Sequence, residues 1–218
     1  MIEAVIFDMD GLLIDSEPLW QQAEMLVFKQ VNITLTPELC LRTKGLRIDE
    51  VVNYWYQKYP WTNLTKLEVE SLIIDQVIEL IHLQAEPFPG VAQAISFVQQ
   101  QPVKIALASS SASKIIQAAL QKLQLNDVFL EVYSAETEIL GKPHPGVYLT
   151  TAKKLQVSPQ SCLALEDSLN GVLAAKAAQM KCIAIPEPLE LNNPKFAIAD
   201  TILQSLTELN NDVWQNLS

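Results

Sequence analysis

The sequence predicts an α/β protein: a doubly wound parallel sheet that carries a helical insertion directly after its first strand. Three observations predict it. Five short apolar runs are mostly continuous rather than alternating, helical patterns separate the later runs, and residues 15–86 hold strong helix signals but no convincing strand. Strands buried on both faces read as continuous apolar runs, and alternation of strand with helix along the chain is the mark of a parallel sheet.

The strand runs are EAVIFD (3–8), VKIALAS (103–109), VFLEVYS (128–134), SCLALED (161–167) and KCIAIP (181–186). Between the later ones lie GVAQAISFVQQ, SKIIQAALQKL, PGVYLTTAKKL and SLNGVLAAKAAQM, each with helical periodicity. Right-handed crossovers then bring every strand C-terminus to one edge, where such sheets bind ligands. Inside the insertion, Thr36-Pro37 reads as an N-cap followed by proline at the first helical position. Thr65 and Glu68 have capping-box spacing ahead of an amphipathic run through Leu67, Leu72, Ile73, Val77, Leu80 and Ile81. PFPG at 87–90 marks the turn back to the sheet. The expected division is a core of residues 1–14 and 87–218 with a helical cap of 15–86. An insertion leaving the C-terminal end of a strand sits over the ligand edge, so the cap is expected to act as a lid.

At 218 residues and 49% hydrophobic, the chain can build one core domain with a smaller inserted one. A net charge of −10 argues against nonspecific nucleic-acid binding and against an anionic membrane surface. Cys40, Cys162 and Cys182 are an odd number at irregular spacing and read as reduced core residues of a cytoplasmic protein. Strand entry straight after Glu3 gives no signal-peptide pattern, and no apolar run approaches the ~18 residues of a membrane span. A monomer is the expectation.

The chemistry sits where the runs end. FDMDG places Asp8 and Asp10 at the first strand's end, ALASSS places Ser109, Ser110 and Ser111 at the second, GKPHP supplies Lys142, and ALEDS supplies Glu166 and Asp167. Carboxylates, hydroxyls and one lysine on a single edge suit a divalent cation and a phosphate, because hard cations take oxygen ligands and a helix N-terminus after the serines suits an anion. Four carboxylates against Mg²⁺ and Lys142 leave a net negative charge that would repel a phosphate dianion. One neutral carboxyl relieves it, and Asp10 is the expected one, as a general acid requires. Asp8 is then the nucleophile that forms an aspartyl-phosphate.

This pattern resembles the haloacid dehalogenase superfamily across essentially the whole chain, with the DxD pair, Ser109, Lys142 and Glu166-Asp167 in the family's order. DGLLIDSEPLW with ALASSS, KPHP and ALEDS is most similar to the sugar-phosphate phosphatases of the beta-phosphoglucomutase-like branch. The resemblance implies a Rossmann-like core under a small helical bundle, and hydrolysis of substrates such as 2-deoxyglucose 6-phosphate or hexitol phosphates. It implies nucleophile Asp8, acid/base Asp10 and phosphate contacts from Ser109, Ser110 and Lys142. It also implies Mg²⁺ on Asp8, the Asp10 main-chain carbonyl and Asp167, with Glu166 as a further contributor.

Two positions depart from the family pattern. Mutases of this branch typically have histidine where this chain has Trp20, which favours hydrolysis over the alternative, a phosphomutase. Gln179 stands where relatives often close a helix with glycine, so a left-handed cap is not expected there. Arg47, in the cap loop KGLRID, is read as a substrate contact, with an ordinary surface arginine as the alternative. Trp55, Tyr56, Tyr59 and Trp61 are read as cap structure rather than a sugar platform, and neither His82 nor His144 as catalytic.

Overall fold

The computed structural model describes residues 1–217. Six parallel strands form one sheet: β1 (Ala4–Phe7), β2 (Lys104–Ser109), β3 (Glu131–Ser134), β4 (Cys162–Glu166), β5 (Lys181–Ala184) and β6 (Thr201–Ile202). Their order is β3-β2-β1-β4-β5-β6. The chain moves outward from β1 in one direction through β2 and β3, then returns to the other side with β4. The order therefore reverses beside β1, and a crevice opens at the C-terminal end of that strand.

The apolar runs conceal an alternation in size. Val5, Phe7, Leu107, Leu163, Leu165 and Ile183 face one core with α5 (Val91–Gln99) and α6 (Ser113–Lys122). Ala4, Ile6, Ala106, Ala108, Ala164 and Ala184 face the other with α7 (Gly146–Leu155) and α8 (Leu169–Ala177). Small side chains on the second face let α7 and α8 approach the sheet closely, which brings Tyr148 and Gly171 beneath the strand ends.

Residues 17–84 carry the helices α1 (Glu17–Gln30), α2 (Pro37–Cys40), α3 (Ile48–Lys58) and α4 (Lys66–Gln84), joined by short turns. Trp55, Phe28 and Trp61 interlock edge to face, with Phe28 at 6.4 Å from Trp55 and 6.0 Å from Trp61. The Thr65–Glu68 capping box forms: the Thr65 hydroxyl accepts from Glu68 N at 3.2 Å, and Glu68 accepts from Thr65 N at 2.6 Å. The two chain crossings lie side by side, tied by Asp15 N to Glu86 O and Phe88 N to Leu13 O.

Several local expectations change. The third run narrows to Glu131–Ser134, because Val128–Leu130 form a turn that tucks Phe129 against Phe7. Leu67 and Leu72 are exposed, so the buried stripe of α4 is Val69, Ile73, Val77, Leu80 and Ile81. The short β6 carried no readable strand signal. Gln179 does adopt the left-handed conformation, at φ 65°, and its side-chain oxygen accepts from Gln160 at 2.6 Å. Among the described residues no helix is long and apolar enough to cross a membrane.

Candidate active site

Asp8 follows β1 directly, Ser109 closes β2, Glu166 closes β4 and Asp167 follows it. Lys142 reaches the same point from the turn ahead of α7. Its ammonium donates to Asp8 Oδ1 at 2.9 Å and to Glu166 Oε1 at 2.6 Å, with the lysine side chain only 3% exposed. The Tyr148 hydroxyl donates to the same Glu166 oxygen, and the Ser168 hydroxyl reaches Oε2 at 3.4 Å. Glycine is required on both sides of this cluster. A Cβ on Gly171 would lie 1.9 Å from the Glu166 carboxyl carbon, and one on Gly11, at φ +76°, would lie 2.1 Å from Asp167 Oδ2.

The electrostatics suit a bound cation. One carboxylate oxygen each from Asp8, Glu166 and Asp167 lies within 4.8 Å of the others. Burial, then Glu166, pushes the Asp8 carboxyl up to about 8 although Lys142 pulls the other way. Burial with Asp8 and Glu166 holds Asp167 well above the ordinary aspartate range. Burial works against charge on Lys142 too, yet Asp8 and Glu166 raise it above an ordinary lysine. Asp167 Oδ1 is buried with no hydrogen-bond partner among the described residues. A cluster of oxygen donors that cannot all ionise by itself, with one donor left unsatisfied, fits a hard divalent cation.

Asp10 is held by four side chains. Its Oδ1 accepts from Ser16 at 2.7 Å and from the Trp20 indole at 3.2 Å, and its Oδ2 meets the hydroxyls of Ser111 at 2.7 Å and Ser109 at 3.2 Å. An indole N–H only donates, so Oδ1 is a fixed acceptor. The two hydroxyls facing Oδ2 can turn to accept, so a proton on that oxygen finds partners. Ser110 Oγ is buried without a partner among the described residues and lines the same cavity. The N-terminus of α6 is only partly free for an anion, because Glu136 accepts from both the backbone N–H and the hydroxyl of Ser113.

The model of a family described as haloacid dehalogenase-like hydrolase matches residues 5–185. The chain belongs to the haloacid dehalogenase-like hydrolases. Over 209 residues it is 44% identical to hexitol phosphatase B of Escherichia coli, covering 95% of this chain and 94% of that one. It is 29% identical to the beta-phosphoglucomutase of Bacillus subtilis over 222 residues, covering 98% and 96%. Among solved structures, CbbY from Rhodobacter sphaeroides in complex with phosphate superposes with a TM-score of 0.90 at 25% identity, covering 100% and 99% of the two chains. The beta-phosphoglucomutase of Clostridium difficile superposes with a TM-score of 0.85 at 26% identity, covering 99% and 96%.

Within this hydrolase, Asp8, Asp10, Ser109, Ser110, Lys142 and Asp167 line one cavity, with Glu166 against Lys142 behind them. Arg47 is not among the lining residues. Its guanidinium is taken up by Asp49 at 2.7 and 2.8 Å and by the carbonyls of Ala135 and Glu138 at 3.1 and 2.5 Å. It ties the helical segment to the turn after β3, and its neighbours Leu46 and Ile48 face the cavity instead. Trp55, Tyr56, Tyr59 and Trp61 are also absent from the lining, as are both histidines.

Sequence reasoning missed Trp20 and Ser16 as Asp10 partners, and Tyr148 as a support for Glu166. Ser16 and Trp20 had a signal, being one helical turn apart at the start of α1, on the face that returns to Asp10. Tyr148 had none, because its role depends on α7 closing onto an alanine-rich sheet face.

Proposed function

We propose that this chain is a Mg²⁺-dependent phosphatase of small sugar or sugar-alcohol phosphates, working through an aspartyl-phosphate on Asp8. The observation that carries the reading is the Lys142–Asp8–Glu166 arrangement with the unsatisfied Asp167 oxygen beside it. The relatedness to hexitol phosphatase B supports the substrate class. We also assign residues 15–86 to a cap over a core of 1–14 and 87–218, since the two crossings lie together and the cavity is lined from both parts.

Asp8, Asp167 and Glu166 would hold Mg²⁺, which when bound supplies charge compensation for the phosphoryl oxygens. Lys142 occupies Asp8 Oδ1, and no other hydrogen bond reaches the Asp8 side chain among the described residues, which leaves Oδ2 for attack on phosphorus. Breaking the P–O ester bond releases an alkoxide that takes the Asp10 proton. Asp10 then accepts a proton from the water that cleaves the acyl-phosphate, returning Asp8 and freeing phosphate. Ser109, Ser110 and Lys142 orient the phosphoryl group, and Glu166 with Tyr148 positions the lysine.

Trp20 favours hydrolase over mutase. A mutase must keep water from the aspartyl-phosphate until a second sugar hydroxyl arrives, and an indole that only donates to Asp10 cannot exchange its proton to gate that step. A hexitol phosphate should give equimolar phosphate and free polyol with no bisphosphate activator. Incubation with beta-glucose 1-phosphate and catalytic glucose 1,6-bisphosphate is the deciding measurement. Glucose 6-phosphate appearing faster than free phosphate would select the mutase.

Metal and proton roles separate by titration. Asp10→Asn should slow both half-reactions while the Mg²⁺ concentration for half-activation moves little. Asp167→Ala should raise that concentration by roughly tenfold or more, with activity partly recovered at high Mg²⁺. Equal weakening of the metal requirement in both variants would refute this division.

A further inference from the structure

Glu24 is a carboxyl that the proposed chemistry does not use. It lies on α1, 6% exposed, and lines the same cavity as Asp8 and Asp10. Its Oε2 is buried without a hydrogen-bond partner among the described residues. The surroundings do not support a charge: burial pushes this carboxyl up to about 8, with Cys40 opposing the rise and Glu17 adding to it. Lys44, the cationic side chain of the cap loop that lines the cavity, is engaged by Glu187 at 2.5 Å.

Helical geometry fixes where Glu24 stands relative to the reaction. Glu17, Trp20 and Glu24 fall at i, i+3 and i+7, on one face of α1. Trp20 touches Asp10, and Glu24 follows one turn further along, about 6 Å from Trp20 along the helix axis. A step of that length matches a few extended carbon–carbon bonds, the span from a phosphate ester towards the remote end of a sugar or polyol. Leu46, Ile48 and Val51 line the same cavity. A neutral carboxyl offers one O–H donor and one acceptor, which suits a hydroxyl and suits neither an amine nor a second anion.

We infer that Glu24 is a specificity-determining residue whose unpartnered oxygen hydrogen-bonds a hydroxyl at the remote end of the substrate, selecting polyhydroxylated phosphates over alkyl phosphates of equal length. This rests on the sugar- or polyol-phosphatase reading. A site built to hydrogen-bond a hydroxyl rejects the analogue that lacks it, because the buried polar group is then left unpaired.

The test compares kcat/KM for a hexitol 6-phosphate and for n-hexyl phosphate, and reads their ratio. Glu24→Met should lower the wild-type ratio by about 30-fold, and Glu24→Gln, which still donates and accepts, should keep it within about threefold. A purely structural role would slow both substrates together and leave the Glu24→Met ratio unchanged, which overturns the inference. If the wild type turns over both esters equally well, the sugar-phosphate reading fails and this inference with it. A wild type that discriminates beside a Glu24→Met that discriminates equally removes the inference alone. Should Glu24→Met not fold, hexitol phosphates lacking single hydroxyls locate the contact in the wild type. Loss of a remote hydroxyl should cost more than about tenfold, and a uniform cost at every position overturns the assignment.

Discussion

Asp8→Asn should fold, keep the cavity and lose turnover. The amide is nearly isosteric with the carboxyl, still presents an oxygen to Lys142 at the 2.9 Å contact, and removes one negative charge from a cluster already short of cations. It cannot attack phosphorus to give an aspartyl-phosphate. Activity should fall below about 1% of wild-type kcat, a loss of at least ~2.7 kcal/mol of transition-state stabilisation. Steady-state phosphate release, on protein checked by mass for deamidation, is the measurement. A variant retaining more than that would rule out Asp8 as nucleophile. Because burial and Glu166 oppose ionisation of Asp8, the metal-free variant should also be no less stable than the wild type at pH 8.

The strand ends were legible in the sequence because each run stops on a residue with a chemical reason to be there. Asp8, Ser109, Glu166 and Asp167 all sit where an apolar run gives way, and a parallel sheet leaves only one edge for them. Lys142 was legible from its turn. What could not be read was anything set by the packing of one layer on another. Tyr148 supports Glu166 because alanines on the sheet let α7 come close. Gly171 is glycine because the Glu166 carboxyl fills the space a Cβ would need. Arg47, read as a substrate contact, lies off the cavity lining for a related reason: a loop near a ligand can turn either of two adjacent residues inward. Here Ile48 faces the cavity, and Asp49 with two core carbonyls holds the arginine outside. Trp20 was read only as standing in place of a mutase histidine, and its indole donor to Asp10 depends on how α1 returns to the strand end.

Lys142→Met should show the other large effect, and pH should control its size. The lysine is the cation between two buried carboxylates, Asp8 at 2.9 Å and Glu166 at 2.6 Å. Removing one partner of a buried ion pair leaves uncompensated charge and typically costs ~3–5 kcal/mol. Methionine fills a similar volume, so the loss is electrostatic rather than a cavity. The sign follows from Asp8, raised from 3.8 to about 8 even with the lysine present. A carboxyl whose folded value lies above its unfolded one binds more protons in the folded state. Its contribution is therefore complete below about pH 4 and is lost as pH rises toward 8. Without Lys142 the folded value rises further and the loss extends to higher pH. Metal-free Lys142→Met should thus melt below the wild type by a margin that widens as pH rises past about 8. Mg²⁺ should restore part of the difference above pH 8 and little near pH 5, because binding requires ionised carboxylates. Turnover should fall by more than about 100-fold at every pH, since the lost ammonium both orients the phosphoryl group and favours the ionised Asp8. Thermal melts from pH 6 to 10, with and without Mg²⁺, test this. A deficit independent of pH would mean that Lys142 acts through packing and not through charge.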